Sequence, residues 1–306
     1  MSEVDPNLLL FCGIALVSGL LCGALAPTFG RRTDLTDREA VDGSGRPISR
    51  AGGTALLLAW CVALSAAGQL GGELLPLLGT VSLAWLVGLH DDFTDSSARL
   101  RVVLLAALSV GAAAAGLRCE TVVFPGGSAF ALGIWSIPLS ALWILGTTVA
   151  FDFIDGLDGL ALSLGALAAA CFVFAGATGT FALAALTLAA AQIGLLAWNR
   201  PPAAFYLGDN GSNLLGFALG GLSIAGLGGG AGFPAVTALL LLAVPILDAG
   251  STVLRRARSG GDLFTSDLNH LHHRVLSRRG GVVPALAQLV AAALVAAVVG
   301  LGLMLL

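Results

Sequence analysis

Apolar runs close to the twenty residues that cross a bilayer as a helix recur along this 306-residue chain. Only 11% of the residues are charged, compared with about 25% in a typical soluble domain. We therefore predict an all-α, polytopic membrane protein in which residues 1–306 form one integral membrane domain. About ten transmembrane helices use nearly the whole sequence, near residues 7–27, 51–70, 73–89, 100–117, 133–151, 159–178, 180–198, 212–230, 233–253 and 284–306.

The basic residues, all of them arginine, predict how these helices are oriented. Of the 15 basic residues, 14 fall in loops on one side of the predicted bundle, and only Arg118 falls on the other side. Because basic residues accumulate in cytoplasmic loops, both termini should lie outside. The acidic N-terminus lacks the cations of a signal peptide, so we expect the first span to be retained. On the outer side, Pro125-Gly126-Gly127 predicts a small hairpin within 118–132.

The strongest candidate for a functional site is the segment 151–160, which contains Asp152, Asp155 and Asp158. On a helix, this spacing would keep the three carboxylates within about one third of the circumference, although the glycines between them also permit a turn. Carboxylates beside lipid-facing segments are costly unless they are paired, bind a metal or line a water-filled cavity. We therefore assign the segment a functional role and not that of a solvated loop.

Two further acidic motifs fall on the same side of the predicted bundle. The adjacent carboxylates of Asp91 and Asp92 end the third span and suit a divalent cation or its complex with a diphosphate. The segment Gly208-Asp209-Asn210-Gly211-Ser212 comes just before the eighth span. Its glycines permit close backbone approach, and Ser212 is a candidate N-cap of a helix whose N-terminus would face an anion.

A cluster of histidines predicts a binding loop. His270, His272 and His273 are followed by Arg274, whereas zinc would require a further Cys or His ligand that the neighbouring sequence lacks. We therefore interpret the loop as binding nucleotide phosphate. Asp248, inside the ninth predicted span, has two interpretations of equal weight, a role in the site or an ion pair with a nearby arginine.

In these motifs the chain resembles the polyprenyl-phosphate N-acetylhexosamine-1-phosphate transferase family, which is glycosyltransferase family 4. The resemblance covers nearly the whole chain in motif order. It includes the Asp91-Asp92 pair and four segments: a PxPRxGG-like motif at 47–53, DGLDGLA at 155–161, GD-x-GS at 208–212 and NHLHHR at 269–274. The chain departs from the family at Val149 and Asp152, where asparagine is common, and at Arg101, the nearest match to a lysine.

The resemblance implies a multi-pass enzyme of the bacterial inner membrane that uses Mg²⁺, with Mn²⁺ as an alternative. It would transfer a HexNAc 1-phosphate, in the first place GlcNAc-1-phosphate, from a UDP-sugar to undecaprenyl phosphate or a similar polyprenyl phosphate. UMP would be released on the cytoplasmic face, and the product would initiate cell-envelope glycan synthesis. The histidine loop resembles the UDP-GlcNAc branch more than the phospho-MurNAc-pentapeptide translocase branch. A homodimer is left open, and no nucleic acid partner is expected.

These considerations assign roles to individual residues. The predicted catalytic residues are Asp91, Asp92, Asp155 and Asp158. The predicted metal ligands are Asp209, Asp92 and Asp155. The predicted substrate-binding residues are Asp152, Gly208, Asn210, Ser212, His270, His272, His273, Arg274, Arg46, Arg50 and Arg101.

Other classes of protein fit the sequence less well. A secondary transporter would place its acidic residues near the membrane midplane, whereas here they cluster at span ends. A CDP-alcohol phosphatidyltransferase would carry a DG-x₂-AR signature, but Asp158-Gly159 is followed by Leu160-Ala161-Leu162. For the transferase, direct attack by the lipid phosphate is favoured over a transient phosphosugar on an aspartate, and both routes are retained.

Overall fold

The computed structural model describes residues 7–228, 232–259 and 270–305, and helices dominate this part of the chain. The helices are α1 (Leu8–Arg32), α2 (Gly52–Ala66), α3 (Leu75–Thr94), α4 (Ala98–Ala114), α5 (Ser136–Ile154), α6 (Leu160–Phe174), α7 (Gly179–Asn199), α8 (Gly208–Leu227), α9 (Ala235–Leu241), α10 (Ala243–Ser259), α11 (Leu271–Arg279) and α12 (Val282–Leu303). The short strands are β1 (Thr36–Val41), β2 (Pro47–Ser49), β3 (Thr121–Val123), β4 (Ala129–Ala131) and β5 (Phe233–Pro234). The predicted mainly helical architecture is therefore confirmed.

Several helices are suited to a membrane. Among the described residues, 5 helices are long and apolar enough to cross one, namely α1, α3, α5, α7 and α12, and α9 with α10 would make up to 6. The apolar helices α2 and α6 are shorter, at 15 residues each. Large apolar side chains point outward, such as Leu21, Leu142 and Val298, which are 61%, 63% and 63% exposed. Lipid contact accounts for such surfaces, while the count of ten spans and the placement of the termini stay predictions.

The predicted ninth span, 233–253, is not one straight helix. α9 ends at Leu241, α10 begins at Ala243, and the two helices are bent by 87°. Pro245 lies in the first turn of α10 and has no N–H to donate to the carbonyl of Leu241, so a continuous helix would lose a hydrogen bond there. The segment predicted as the ninth span is therefore divided into two helices, and the proline is the physical reason.

The central helix of the bundle is α8. It packs against α2, α3, α5, α6 and α7, and its buried residues cover all faces from Asn210 to Ile224. A helix that is apolar all round belongs in the interior of a bundle. Its N-terminus lies between the C-terminal ends of α3 and α5, so it brings Asp209 next to the acids at those ends.

Two antiparallel hairpins lie at opposite ends of the helices. The one predicted within 118–132 is present: β3 pairs with β4 in the register Thr121↔Ala131 and Val123↔Ala129, and β5 adds to β3 in parallel. The other joins α1 to α2 through β1 and β2 and was not predicted. We call the end that contains β1, β2 and the start of α8 the acid pole, because most of the predicted site residues lie there.

Candidate functional site

The acid pole contains a cavity of about 440 Å³. Five of the predicted aspartates, from three separate segments, reach it together with one predicted arginine, whereas Asp91 is not part of its lining. Its polar lining consists of Asp37, Arg50, Asp92, Asp152, Asp155, Asp158, Asn199, Tyr206 and Asp209. The motifs that the sequence places far apart are therefore parts of one site.

Asp92, near the end of α3, is held by the first turn of α8. Its Oδ1 accepts the N–H of Asp209 at 3.1 Å, and its Oδ2 accepts the N–H and the side-chain amide of Asn210 at 2.9 and 2.6 Å. The carboxylate therefore caps the positive end of α8. Asp92 was predicted to be catalytic and to bind metal, but protein donors occupy both of its oxygens in this structure.

The start of α8 depends on Gly208. This residue has φ of +74°, a left-handed conformation that glycine adopts without steric cost. A Cβ built there would also lie only 2.9 Å from Oδ2 of Asp92. α8 begins here and not at Ser212, so the prediction of Ser212 as N-cap was wrong. The Ser212 hydroxyl instead lies 3.4 Å from Oδ1 of Asp152.

Arg101, in the first turn of α4, joins three acids from three helices. Its Nη1 donates to the carboxylates of Asp91 and Asp209, and its Nη2 lies 3.3 Å from Oδ2 of Asp152. The Asp91 carboxylate also accepts a hydrogen bond from Ser96. Arg101 was predicted from the resemblance to bind substrate, and the structure places it beside the cavity as the counter-ion of Asp91, Asp152 and Asp209.

The first five residues of the DGLDGLA segment, 155–159, form a loop between α5 and α6, and the last two begin α6, so the alternative of one continuous helix does not apply. Asp158 accepts the backbone N–H of Ala203 through Oδ2 at 3.0 Å. Asn199 extends this connection, since it accepts the N–H of Gly159 at 3.1 Å and donates to the carbonyl of Phe205 at 2.8 Å. Asp158 therefore lines the cavity and also anchors the loop that leads to α8.

Asp155 is the least satisfied acid of the site. It follows the last residue of α5, is half-buried, and has no hydrogen-bond partner among the described residues. Burial raises the pKa of Asp155 well above its usual value, and the negative charges of Asp152, Asp92 and Asp158 raise it further. This carboxylate is therefore placed to receive a cation.

Two cationic side chains predicted for the site differ in position. Arg50 lines the cavity, where its Nη2 donates to Asp37 at 3.0 Å and its Nη1 lies 3.9 Å from Asp92. Arg46 lies outside the cavity, in the β1–β2 turn, where it pairs with Asp42 at 3.2 Å and is 60% exposed. The structure thus brings Arg50 into the site and leaves Arg46 on the surface.

The histidine motif lies beside the cavity and not in its lining. Asn269 is outside the described residues. His270 precedes α11, His272 is buried in its first turn, and both contact Asp248 of α10. His273 is half-buried and Arg274 is exposed. Of the two interpretations of Asp248, the structure favours a role with the histidines: its Oδ2 lies 3.0 Å from Nδ1 of His272.

The donor set fits a divalent cation. The carboxylates of Asp91, Asp92, Asp152, Asp155, Asp158 and Asp209 outnumber the guanidinium groups of Arg50 and Arg101. Hard cations such as Mg²⁺ and Mn²⁺ prefer carboxylate oxygens and keep several ligand positions for water and phosphate. Asp155 and Asp209 would hold such an ion: Asp155 has no hydrogen-bond partner among the described residues, and Asp209 would exchange its contact with Arg101 for the ion, whereas both oxygens of Asp92 cap α8.

Three cavity residues were missed from the sequence. Asp37 lies in a polar connection without any recognisable motif, and Asn199 ends an apolar helix where a polar residue is ordinary. Tyr206 is the only tyrosine of the chain and stands two residues before the GD-x-GS motif. That proximity was the one available signal, whereas Asp37 had none.

Fold and site together define a class: a helical membrane protein with an acid-lined, arginine-flanked cavity at one end of the bundle. The family model described as glycosyl transferase family 4 matches residues 74–227, just over half of the chain. The chain belongs to glycosyl transferase family 4, as the motifs predicted. The matched region includes α3, α5, the loop 155–159 and α8, which together carry five of the six cavity aspartates.

Individual relatives agree with this assignment. A protein of Bacillus subtilis named "Probable undecaprenyl-phosphate N-acetylglucosaminyl 1-phosphate transferase" is 31% identical over 196 residues, which cover 62% of this chain and 55% of the relative. A Thermotoga maritima protein named undecaprenyl-phosphate alpha-N-acetylglucosaminyl 1-phosphate transferase is 28% identical, over 94% of this chain and 88% of the relative. A Mycobacterium tuberculosis decaprenyl-phosphate N-acetylglucosaminephosphotransferase is 34% identical over 164 residues, which cover 46% of this chain and 41% of the relative. The matches thus span about half of the first and third of these relatives.

Proposed function

We propose that the protein transfers a HexNAc 1-phosphate, in the first place GlcNAc-1-phosphate, from a UDP-sugar to a polyprenyl phosphate such as undecaprenyl phosphate. The reaction would take place on the cytoplasmic face of a bacterial inner membrane and initiate synthesis of an envelope glycan. The observation that carries the proposal is the convergence of Arg50 and six aspartates on one cavity, in a chain of glycosyl transferase family 4. The names of the relatives support both the donor and the acceptor class.

In the proposed reaction, an oxygen of the lipid phosphate attacks the phosphorus next to the sugar. A new P–O bond forms, the P–O bond to UMP breaks, and UMP carries away the electron pair. Because the lipid phosphate is already largely ionised at neutral pH, the main need is to bring anions together. Arg50 faces the cavity, and Arg101 can exchange part of its contact with Asp91, Asp152 and Asp209 for contact with phosphate.

Mg²⁺ fits this proposal as the resident cation. When bound, it would supply the positive charge that neutralises a diphosphate. The residues of this chain contribute the carboxylates of Asp155 and Asp209, while Asp92 fixes the start of α8 and so sets the position of Asp209. Asp158 keeps the loop 155–159 attached to Ala203. The protein therefore provides a pre-arranged oxygen cage beside two guanidinium groups.

The test is the incubation of purified protein with polyprenyl phosphate, Mg²⁺ and a panel of UDP-sugars, with UMP release and lipid-linked sugar as readouts. UDP-GlcNAc should be the preferred donor. Two arginine variants provide a matched comparison: Arg50→Gln should raise the KM for the donor about tenfold, and Arg46→Gln should leave it within about twofold. Absence of UMP release with every donor, from folded protein, would refute the proposal.

The proposed cytoplasmic placement has its own test. Cysteines introduced at Ser259, at the end of α10, and at Ser128, in the β3–β4 turn, should be labelled by an impermeant reagent from opposite sides of the membrane. The arginine distribution is the reason for this expectation. Labelling of both sites from the outside would reverse the proposed face.

A further inference from the structure

Asp248 is fully buried in α10, a helix next to α5. Its Oδ1 accepts the N–H of Leu271 at 2.6 Å, and its Oδ2 lies 3.0 Å from Nδ1 of His272. Nδ1 of His270 lies 3.5 Å from its Oδ1. One carboxylate therefore caps the start of α11 and holds two imidazoles, which we call the histidine pocket (Asp248, His270 and His272).

Both imidazole rings contact residues that lie near Asp155 in the sequence, one before it and one after it. A Cβ built on Gly156 would lie 2.2 Å from Nε2 of His272, so only glycine allows this ring to come so close. The ring of His270 meets the ring of Phe153 edge-on at a centroid distance of 5.0 Å. The histidine pocket thus contacts the residue after Asp155 and the residue two positions before it.

The two ring nitrogens of His272 have different surroundings. Its side chain is buried, with 1% exposure, and its Nε2 has no hydrogen-bond partner among the described residues. A carboxylate can only accept, so the neutral ring must carry its proton on Nδ1 and leave the lone pair on Nε2. With the opposite tautomer, two lone pairs would face each other across 3.0 Å. Asp248 therefore selects the Nδ1–H tautomer of His272.

We propose that Asp248 is a positioning residue for the transfer reaction, which acts through His272 and fixes the segment 153–156 that carries Asp155. The inference rests on the proposed function for its kinetic consequence, but its structural part does not. The contacts form a chain from Asp248 to His272, from His272 to Gly156, and from Gly156 to the adjacent Asp155. Displacement of a reacting group by about 1 Å is enough to lower a rate about a hundredfold.

The three side chains also fit the description of a metal trio, since their candidate ligand atoms lie within 4.8 Å of one another. The contacts favour hydrogen bonding. Oδ1 of Asp248 is occupied by a backbone N–H at 2.6 Å, and the distance from Oδ2 to His272 is that of an ordinary hydrogen bond. Stoichiometric zinc retained by the wild type and lost in Asp248→Asn would overturn the proposal in favour of a metal site.

The first measurement needs no substrate. In protein labelled with ¹⁵N-histidine, the wild type should show His272 as the Nδ1–H tautomer, with His272→Ala used to assign the signals. Asp248→Asn keeps an oxygen for the Leu271 N–H but turns an NH₂ group toward the ring, so the proton should move to Nε2. A wild-type His272 in the Nε2–H form, or no change in Asp248→Asn, would overturn the proposal.

The second measurement uses turnover. Asp248→Asn should lower kcat about tenfold to a hundredfold and change the KM for the donor by less than about twofold. In the His272→Ala background the same substitution should change kcat by less than about twofold, because the imidazole through which Asp248 acts is absent. Full additivity would show that Asp248 does not act through His272. Asp95→Asn is the control: Asp95 is exposed with φ of +49°, which asparagine tolerates.

If wild-type protein releases no UMP from any donor while His272 has the expected tautomer, the proposed function fails and the geometry holds. If wild-type protein is active and His272 has the other tautomer, the positioning role fails and the function stands. The two hypotheses are thereby tested separately.

Discussion

The aspartate-lined cavity and the histidine pocket lie next to each other, and they differ in how many hydrogen-bond and ion-pair partners their buried carboxylates have. In and beside the cavity, seven aspartates lie around two arginines, and Asp155 has no hydrogen-bond partner among the described residues. In the pocket, Asp248 has a backbone donor and two imidazoles to itself. The cavity therefore contains a carboxylate without a hydrogen-bond partner, while both oxygens of the carboxylate in the pocket have partners.

This difference indicates that the cavity serves to bind a ligand and that the pocket serves to fix the geometry. Uncompensated charge is unfavourable for folding and is retained where a ligand will compensate it. A carboxylate with all of its partners in place contributes to a fixed geometry. Substitutions of acids in the two regions should therefore have opposite effects on stability, and this expectation can be broken by experiment.

The largest expected effect belongs to the cavity. Asp209→Asn keeps the shape of the side chain and removes a charged ligand, so kcat should fall by about two to four decades, with little change in uridine binding. UMP release across a Mg²⁺ titration measures it. The control is Asp42→Asn in the β1–β2 turn, which should stay near wild type. Near-wild-type turnover of Asp209→Asn at ordinary Mg²⁺ would assign the metal to Asp155 and Asp158.

The next effect belongs to the histidine pocket and concerns stability. Asp248→Ala leaves the Leu271 N–H and two imidazoles without their buried partner, which costs about 3 kcal/mol. The Tm in detergent should fall by about 5–10 °C. The Tm of Asp248→Asn should fall less, because the asparagine oxygen keeps the hydrogen bond from the Leu271 N–H. An unchanged Tm for Asp248→Ala would show that the pocket does not contribute to the folded state.

Motif spacing predicted five of the six aspartates that line the cavity, because a carboxylate at a membrane boundary is costly unless it is paired, bound to a metal or hydrated. It could not predict which oxygens remain available. Asp92 and Asp209 both belong to clear acidic motifs, yet Asp92 caps α8 and Asp209 pairs with Arg101. Those roles depend on α3 and α8 lying side by side, and nothing local in the sequence contains that contact.

The partners of Asp248 were unpredictable for a similar reason. They lie 23 and 24 residues further along the chain, beyond a segment without a clear pattern, whereas the nearby arginines were the obvious local partners. The break before α10, in contrast, could have been predicted from Pro245, since the covalent structure of proline alone interrupts a helix. The β1–β2 hairpin lacked the alternation that predicts strands, and Asp37 was missed with it.

The smallest expected effect has the opposite sign and is the sharpest test of the comparison. The pKa of Asp155 is raised in the folded protein by burial and by three neighbouring aspartates. A raised pKa means that ionised Asp155 destabilises the fold: the penalty is absent below the ordinary value near 4 and grows as the pH rises above it.

Asp155→Asn removes that ionisation and should therefore raise the Tm at pH 8, by about 2–4 °C in metal-free buffer, and by less at pH 5. Saturating Mg²⁺ should shrink the difference, because a bound cation stabilises the wild-type carboxylate and not the amide. The same variant should lose turnover, so stability and activity would change in opposite directions. A lower Tm for Asp155→Asn at pH 8 without metal would show that Asp155 is already compensated, like Asp248, and the two regions would no longer differ.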